Sequence, residues 1–395
     1  MKFKTGSQLA FMMFVEYFIW GAWYVTMGTY MGENLHSTGL QVGAAYSALA
    51  IATMISPFFV GLVADRYFPA QRIMGLLHLL GGILLFYATR VTGNVLFYWI
   101  ILAYSLLYMP TIALSNSVAF YQMNDPGRQF PWVRVFGTLG WIIAGILIGK
   151  LKLEKTVTTF QLAAAASILL GFVSFTLPNT PPKGAQSKVA GKEAFVLFRS
   201  KAYLIFFIAA ILVCIPLSFY YGFANPFLNE LGMTDAAAKM TLGQFSEGLF
   251  ILAIPFLFNQ IGVKKMLLMG MIAWLLRYVC FAYGGLGVHA WMLYAGILLH
   301  GVCYDFFFVT GYMYTEKKAG EKIKNAAQQL FTFATYGLGM FMGTWFSGIV
   351  VDKYAFSPTS HDWKGIWLVP AYIAAGVLVY FILFFREKKH LTANV

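Results

Sequence analysis

A short list of ionisable side chains falls inside long apolar runs of this sequence: Glu16, His78, Arg134, Glu247, Arg277, His300 and Asp305. In hydrocarbon such a group costs roughly 3 kcal/mol or more unless it is paired or faces water, so each is a candidate for binding or proton transfer. Glu16 shares helical spacing with Trp20, Trp23 and Met27, at steps of four, three and four. A carboxylate between indoles can line a cavity and stack a flat ligand; the same face can instead be a packed aromatic seam. Arg134 sits in PWVRVFGTLGW, with Thr138 one turn along and Trp141 nearly two. A cation, a hydroxyl and an aromatic on one face suit a polar, planar solute, unless Arg134 only anchors its helix at the headgroups.

Gln244 and Glu247, three apart in LGQFSEGLF, offer donors and acceptors in different directions, as a sugar or nucleobase edge requires. A structural hydrogen bond between helices is the plainer alternative. LLHGVCYDFFF is the densest constellation: His300, Tyr304 and Phe308 form one stripe, with Asp305 offset by one position. A buried Asp can take up and release a proton during a transport cycle, or pair permanently with Arg277 of the neighbouring run. His78, alone in its run, reads as a satisfied structural histidine. GLVADR contributes Gly61, Asp65 and Arg66, a cluster that can latch one conformation of a two-state carrier. GIVVDK, from Gly348 to Lys353, resembles it but falls on the opposite side of the expected topology and is not assigned that role.

The elements that must position these residues are membrane spans. Apolar residues make up 59% of the chain and charged residues 11%, against about 25% charged in a soluble domain. Twelve apolar runs, near 9–31, 40–64, 70–92, 95–122, 131–150, 158–177, 203–228, 237–259, 265–284, 288–314, 325–351 and 365–385, approach the length of about 20 residues that crosses a bilayer. The basic, apolar start of the chain reads as the first span, retained, because Glu16 and the aromatics interrupt any signal-peptide core. The predicted fold is therefore all-α and polytopic, with twelve transmembrane helices in two six-helix halves, 1–177 and 203–395. The Pro-, Gly- and Lys-bearing stretch 178–202 is a cytoplasmic linker, with a candidate amphipathic helix at Glu193–Arg199.

With the N-terminus inside, about 19 Lys and Arg lie in inner segments against 7 in outer ones, so both termini are expected in the cytoplasm. The net charge of +13 is therefore an insertion signal and not a nucleic-acid one, since the basic residues sit in short clusters between apolar runs. Cys214, Cys280 and Cys303 lie in apolar runs without CxxC spacing, which predicts inert thiols and neither metal nor cofactor. No HExxH, serine–histidine constellation or phosphate-cradling loop argues for an enzyme. No cytoplasmic domain beyond the linker argues for a sensor.

GLVADR after the second span, with six-plus-six spans, resembles the signature of the major facilitator superfamily. MMFVEYFIWGAWYV, YMPTIALSNS, FPWVRVFGTLGW, LGQFSEGLFILAIPF and LHGVCYDFFFVTG together resemble its bacterial nucleoside–proton symporter family. The resemblance implies a monomeric carrier in the bacterial inner membrane that imports nucleosides with protons, its two halves rocking around a midplane site. It also implies that Arg134, Thr138, Gln244 and Glu247 bind substrate and that Asp305 couples protons, with Glu247 a second coupling candidate. Against nucleoside-transporting members of that family, this chain has Ser218 and Tyr221 in place of amides, His300 in place of Tyr, and Trp141 and Tyr304 in place of Phe. These five join the expected substrate-binding set, and a different small polar solute, such as a sugar or a modified nucleoside, also fits it.

Overall fold

The computed structural model describes residues 3–59, 67–182, 192–357 and 360–386. Glycine and proline punctuate an otherwise continuous series of helices. α1 (Phe3–Leu35) is interrupted by a turn at 24–26 and ends where His36 takes a left-handed conformation. α2 (Gly39–Phe59), α3 (Ala70–Ala88) and α4 (Asn94–Tyr121) follow. α5 (Pro126–Lys150) starts with Asp125 accepting from the Arg128 N–H and with proline in its first turn, where a missing N–H costs nothing. α6 (Thr158–Ser174) is shorter.

After a 3-10 helix at Lys192–Arg199 comes α7 (Lys201–Glu230). The expected amphipathic helix in the linker is thus a tighter 3-10 turn. A 48-residue helix, Ala236–Tyr283, breaks at Gly262 (φ 76°, ψ 161°) into α8 and α9. A 67-residue stretch, Gly287–Lys353, breaks at Gly320 (φ 65°, ψ 177°) into α10 and α11. Only glycine adopts these left-handed values freely, so each break falls where the sequence permits a reversal. α12 (Trp363–Phe384) closes the series after a small hairpin, Ala355–Ser357 with Ser360–His361. Nine stretches among the described residues are long and apolar enough to cross a membrane. Dividing one of them at Gly320 and adding α6 and α8 gives twelve helices. The expected latch of Gly61, Asp65 and Arg66 lies outside the described residues.

α10 and α11 each contain a π-helical turn, Asp305–Val309 and Phe333–Gly339. A π turn inserts one residue into the α repeat and is frequent at functional sites. Tyr336 of the second turn donates to the Tyr304 hydroxyl beside the first, at 2.5 Å.

The chain divides into two compact units. Unit 1 joins Met1–Val189 with Phe219–Thr241 and Thr344–Asp362; unit 2 holds Ala190–Ser218, Leu242–Gly343 and Trp363–Val395. Unit 1 therefore takes in one end of α7, of α8 and of α11. Gly43 lets α2 approach α11 so closely that an added Cβ would strike the Thr344 carbonyl, and Gly140 does the same for α5 against the Phe14 carbonyl of α1. Polar groups complete this packing. Buried Glu154 accepts from Asn225 Nδ2 at 2.8 Å, Asn229 Nδ2 at 2.7 Å and the Ala237 N–H at 3.0 Å. Asp352 accepts the N–H groups of Gly39 and Leu40, at 2.5 and 2.9 Å, capping α2 from the end of α11. The GIVVDK carboxylate thus has a structural partner that its sequence context did not indicate. The core of unit 1 is aromatic, with Trp23 edge-on to Tyr104 at 5.4 Å and Tyr104 stacked on Tyr108 at 5.5 Å. In unit 2 the rings of Trp274, Tyr278 and Trp367 stack at 5.9 Å intervals.

Candidate solute and proton site

In unit 1, α5 presents Arg134, Thr138 and Trp141, all half-buried, along one face. The Arg134 guanidinium lies 4.0 Å from the centre of the Tyr17 ring, a cation–π contact that fixes its direction. Trp141 meets Trp20 edge to face at 5.5 Å and Tyr24 at 6.4 Å. Tyr221, from the part of α7 that belongs to unit 1, lies 5.5 Å from Tyr24. A cation and several aromatic faces therefore sit together, as a stacking site for a flat ring requires.

Glu16 has polar partners of its own. Its side chain is fully buried, 2.9 Å from His78 Nε2, and Thr111 Oγ1 lies 2.6 Å from its other oxygen. Its backbone carbonyl accepts from the Tyr108 hydroxyl at 2.6 Å. His78 is thus not alone, and Ser167 completes the group at 3.2 Å from its Nδ1. Sequence reasoning missed this pairing. Glu16 and His78 are on different helices, so no spacing links them; two ionisable groups in two apolar runs of one half was the available signal.

In unit 2, Arg277, His300 and Glu247 form a chain. Arg277 Nη1 is 2.9 Å from His300 Nδ1. A guanidinium can only donate, so Nδ1 is the acceptor and any ring proton sits on Nε2. Nε2 lies 3.8 Å from Glu247 Oε2, beyond a direct hydrogen bond and within reach of an intervening polar atom. Arg277 and His300 are buried, whereas the Glu247 side chain keeps 29% of its exposure. Gln244 is half-buried one turn from Glu247. The Tyr304 ring lies tilted 5.8 Å from that of His300, and Phe308 continues the stripe at 5.4 Å.

Asp305 opens the π turn of α10. Both carboxylate oxygens are buried, and neither has a hydrogen-bond partner among the described residues. The alternative of a hydrogen-bonded Asp305–Arg277 pair is therefore not what the structure contains, since Arg277 turns to His300. Ser218, also buried, donates to the Ile215 carbonyl one turn back at 2.6 Å, which holds its oxygen against Gly343.

Twelve helices, a polar group set in each unit and a buried carboxyl with no hydrogen-bond partner among the described residues are the make-up of a membrane solute carrier. The major facilitator fold is shown by the crystal structure of the nucleoside transporter NupG, which matches with a TM-score of 0.90 and 31% identity over 97% of this chain and 100% of that one. A relative named YegT, of Escherichia coli (strain K12), is 41% identical over 405 residues, 98% of this chain and 95% of its own. The xanthosine permease of Escherichia coli (strain K12) is 37% identical over 403 residues, 97% and 96% of the two chains. The nucleoside H+ symporter family model matches residues 3–390, and the chain belongs to that family. It is a multi-pass membrane transporter and not an enzyme.

Proposed function

We propose that this protein imports nucleosides, or solutes built like them, together with protons across a bacterial inner membrane by alternating access. It works as a monomer in the bilayer with both termini in the cytoplasm, and its halves 1–177 and 203–395 move about the linker 178–202. The observation that carries the proton part is Asp305. An ionised carboxyl without a partner is costly in a dry interior, and a bound proton removes that cost. Membership of a proton symporter family supports the same reading.

For the solute, we assign stacking to Trp141, Tyr221 and Tyr304, with Trp20 supporting Trp141 from behind. Arg134 and Thr138 in unit 1, and Gln244 and Glu247 in unit 2, supply the directed hydrogen bonds. His300 presents its Nε2–H beside Glu247, and Arg277 fixes that tautomer. Ser218 shapes the wall, because its proton is already committed to Ile215. A relative at 37% identity is a xanthosine permease, which makes purine nucleosides the first substrates to try.

The test is uptake of radiolabelled xanthosine, adenosine and uridine into proteoliposomes, with an inward proton gradient and with the gradient collapsed. Accumulation that depends on the gradient is the expected result. Uptake of none of the three by folded protein would refute the nucleoside assignment, and accumulation that survives collapse of the gradient would refute proton coupling.

A further inference from the structure

Unit 1 holds a second ionisable cluster that solute binding does not use. Glu16 on α1 and His78 on α3 are 0% and 1% exposed and 2.9 Å apart. Ser167 on α6 makes two contacts with the same histidine: its hydroxyl lies 3.2 Å from Nδ1 and 2.9 Å from the His78 backbone carbonyl. One hydroxyl proton cannot serve both. If Ser167 donates to Nδ1, the imidazole is neutral with its proton on Nε2, directed at the Glu16 carboxylate. If Ser167 donates to the carbonyl, its oxygen is free to accept, and Nδ1 must carry a proton. The Glu16–His78 pair then holds one proton more, the second lying in the 2.9 Å contact between Nε2 and the carboxylate. Both arrangements satisfy every polar atom around the ring and differ by one proton on Nδ1. Only the Ser167 hydroxyl turns between them.

We propose that Glu16, His78 and Ser167 form a second proton-binding site, confined to unit 1, which loads and unloads a proton at His78 Nδ1 as the Ser167 hydroxyl rotates. The loaded cluster is neutral overall; the unloaded one is a buried carboxylate held by Nε2–H, with the Thr111 hydroxyl 2.6 Å from it and 2.6 Å from the Tyr108 carbonyl. The groups that face it are few. Tyr17 lies beside Glu16 on α1, Tyr104 and Tyr108 face it from α4, α5 brings Arg134, and α6 carries no charged residue. Tyr108 donates its hydroxyl to the Glu16 backbone carbonyl at 2.6 Å. Arg134 packs on the ring of Tyr17, the residue next to Glu16. A change of charge at Glu16–His78 is therefore felt at the cation assigned to the solute. This coupling role rests on the proposed symport; proton binding itself does not.

Infrared difference spectra of the purified protein, recorded as the pH is stepped, read the site without any solute. The expected result is an imidazole band that disappears in Glu16→Gln and in His78→Gln and persists in Asp305→Asn. Ser167→Ala, which leaves the Glu16–His78 bond intact, should keep the band and move its midpoint by about half to one pH unit. In proteoliposomes, Glu16→Gln should lower gradient-driven accumulation by about five-fold or more while solute exchange without a gradient continues. A difference spectrum and midpoint identical in wild type, Glu16→Gln and Ser167→Ala would overturn the proposal, even if symport itself were established. A band altered as expected in a protein that moves none of the tested nucleosides would keep the proton site and reject only the substrate.

Discussion

Replacing Glu154 by Ala should loosen unit 1 where it gathers the ends of α7 and α8. Glu154 accepts three hydrogen bonds at 2.7–3.0 Å while only 4% exposed. Its donors do not lose equally. Asn229 Nδ2 keeps the Asn225 carbonyl at 3.0 Å and Asn225 Oδ1 at 3.2 Å. Asn225 Nδ2 retains only a 3.8 Å contact with Met240 sulfur, and the Ala237 N–H, in the first turn of α8, loses its acceptor. Two buried donors left unsatisfied cost about 1–3 kcal/mol each, so the substitution should remove about 2–6 kcal/mol. At about 2 °C per kcal/mol, melting should fall by about 4–12 °C. Glu154→Gln keeps one carbonyl oxygen and should recover roughly half of the loss. A thiol-reactive dye can report the melt in detergent, because Cys214 and Cys303 are buried until the chain opens. Melting of Glu154→Ala within about 1 °C of the parent would refute this account of the junction.

Further outcomes follow from the same geometry. Asp305→Asn should abolish gradient-driven accumulation in proteoliposomes while gradient-free counterflow stays within about three-fold, because Asn cannot carry the proton. His300→Gln removes the imidazole linking Arg277 to Glu247 and should raise the solute concentration for half-maximal uptake about 5- to 30-fold, the range of one or two lost hydrogen bonds. The exposed Lys150–Asp235 pair should matter little. The lysine ammonium, donating at 2.9 Å, holds the Asp235 carboxyl below the usual carboxylate range. A depressed folded-state value stabilises above the ordinary carboxylate range and loses that contribution as pH falls through the depressed value. Asp235→Asn should therefore change melting by less than about 2 °C at neutral pH, with no new pH dependence between about pH 5 and pH 8.

The twelve helices were legible because each apolar run must satisfy its backbone within itself, which leaves a signal in every window of residues. Gly262 and Gly320 are a subtler case. They mark reversals within continuous helical stretches, and only their freedom at positive φ distinguishes them from the packing glycines Gly43 and Gly140. The stripe of His300, Tyr304 and Phe308 and the α5 face of Arg134, Thr138 and Trp141 were legible for the same reason, since 3.6-residue periodicity fixes neighbours within one helix. Partnerships between helices were not. Nothing in the sequence shows that Arg277 prefers His300 to Asp305, that His78 meets Glu16, or that Asp352 caps α2. Each depends on helix rotation, which packing decides. Periodicity is equally blind to the π turns, whose composition matches that of their α-helical flanks.

Those two π turns have a consequence for motion. Each stores one residue more than the α repeat needs, and a surplus residue can migrate along a helix by exchanging one carbonyl acceptor at a time. Each step turns the side chains it passes by about 100° and leaves both helix ends where they were. Thr310 donates to the Asp305 carbonyl twice, through its backbone N–H and, at 3.4 Å, through its hydroxyl. Asp305 and Tyr336 can therefore be re-aimed like tumblers in a lock, with no hinge and no unwound segment.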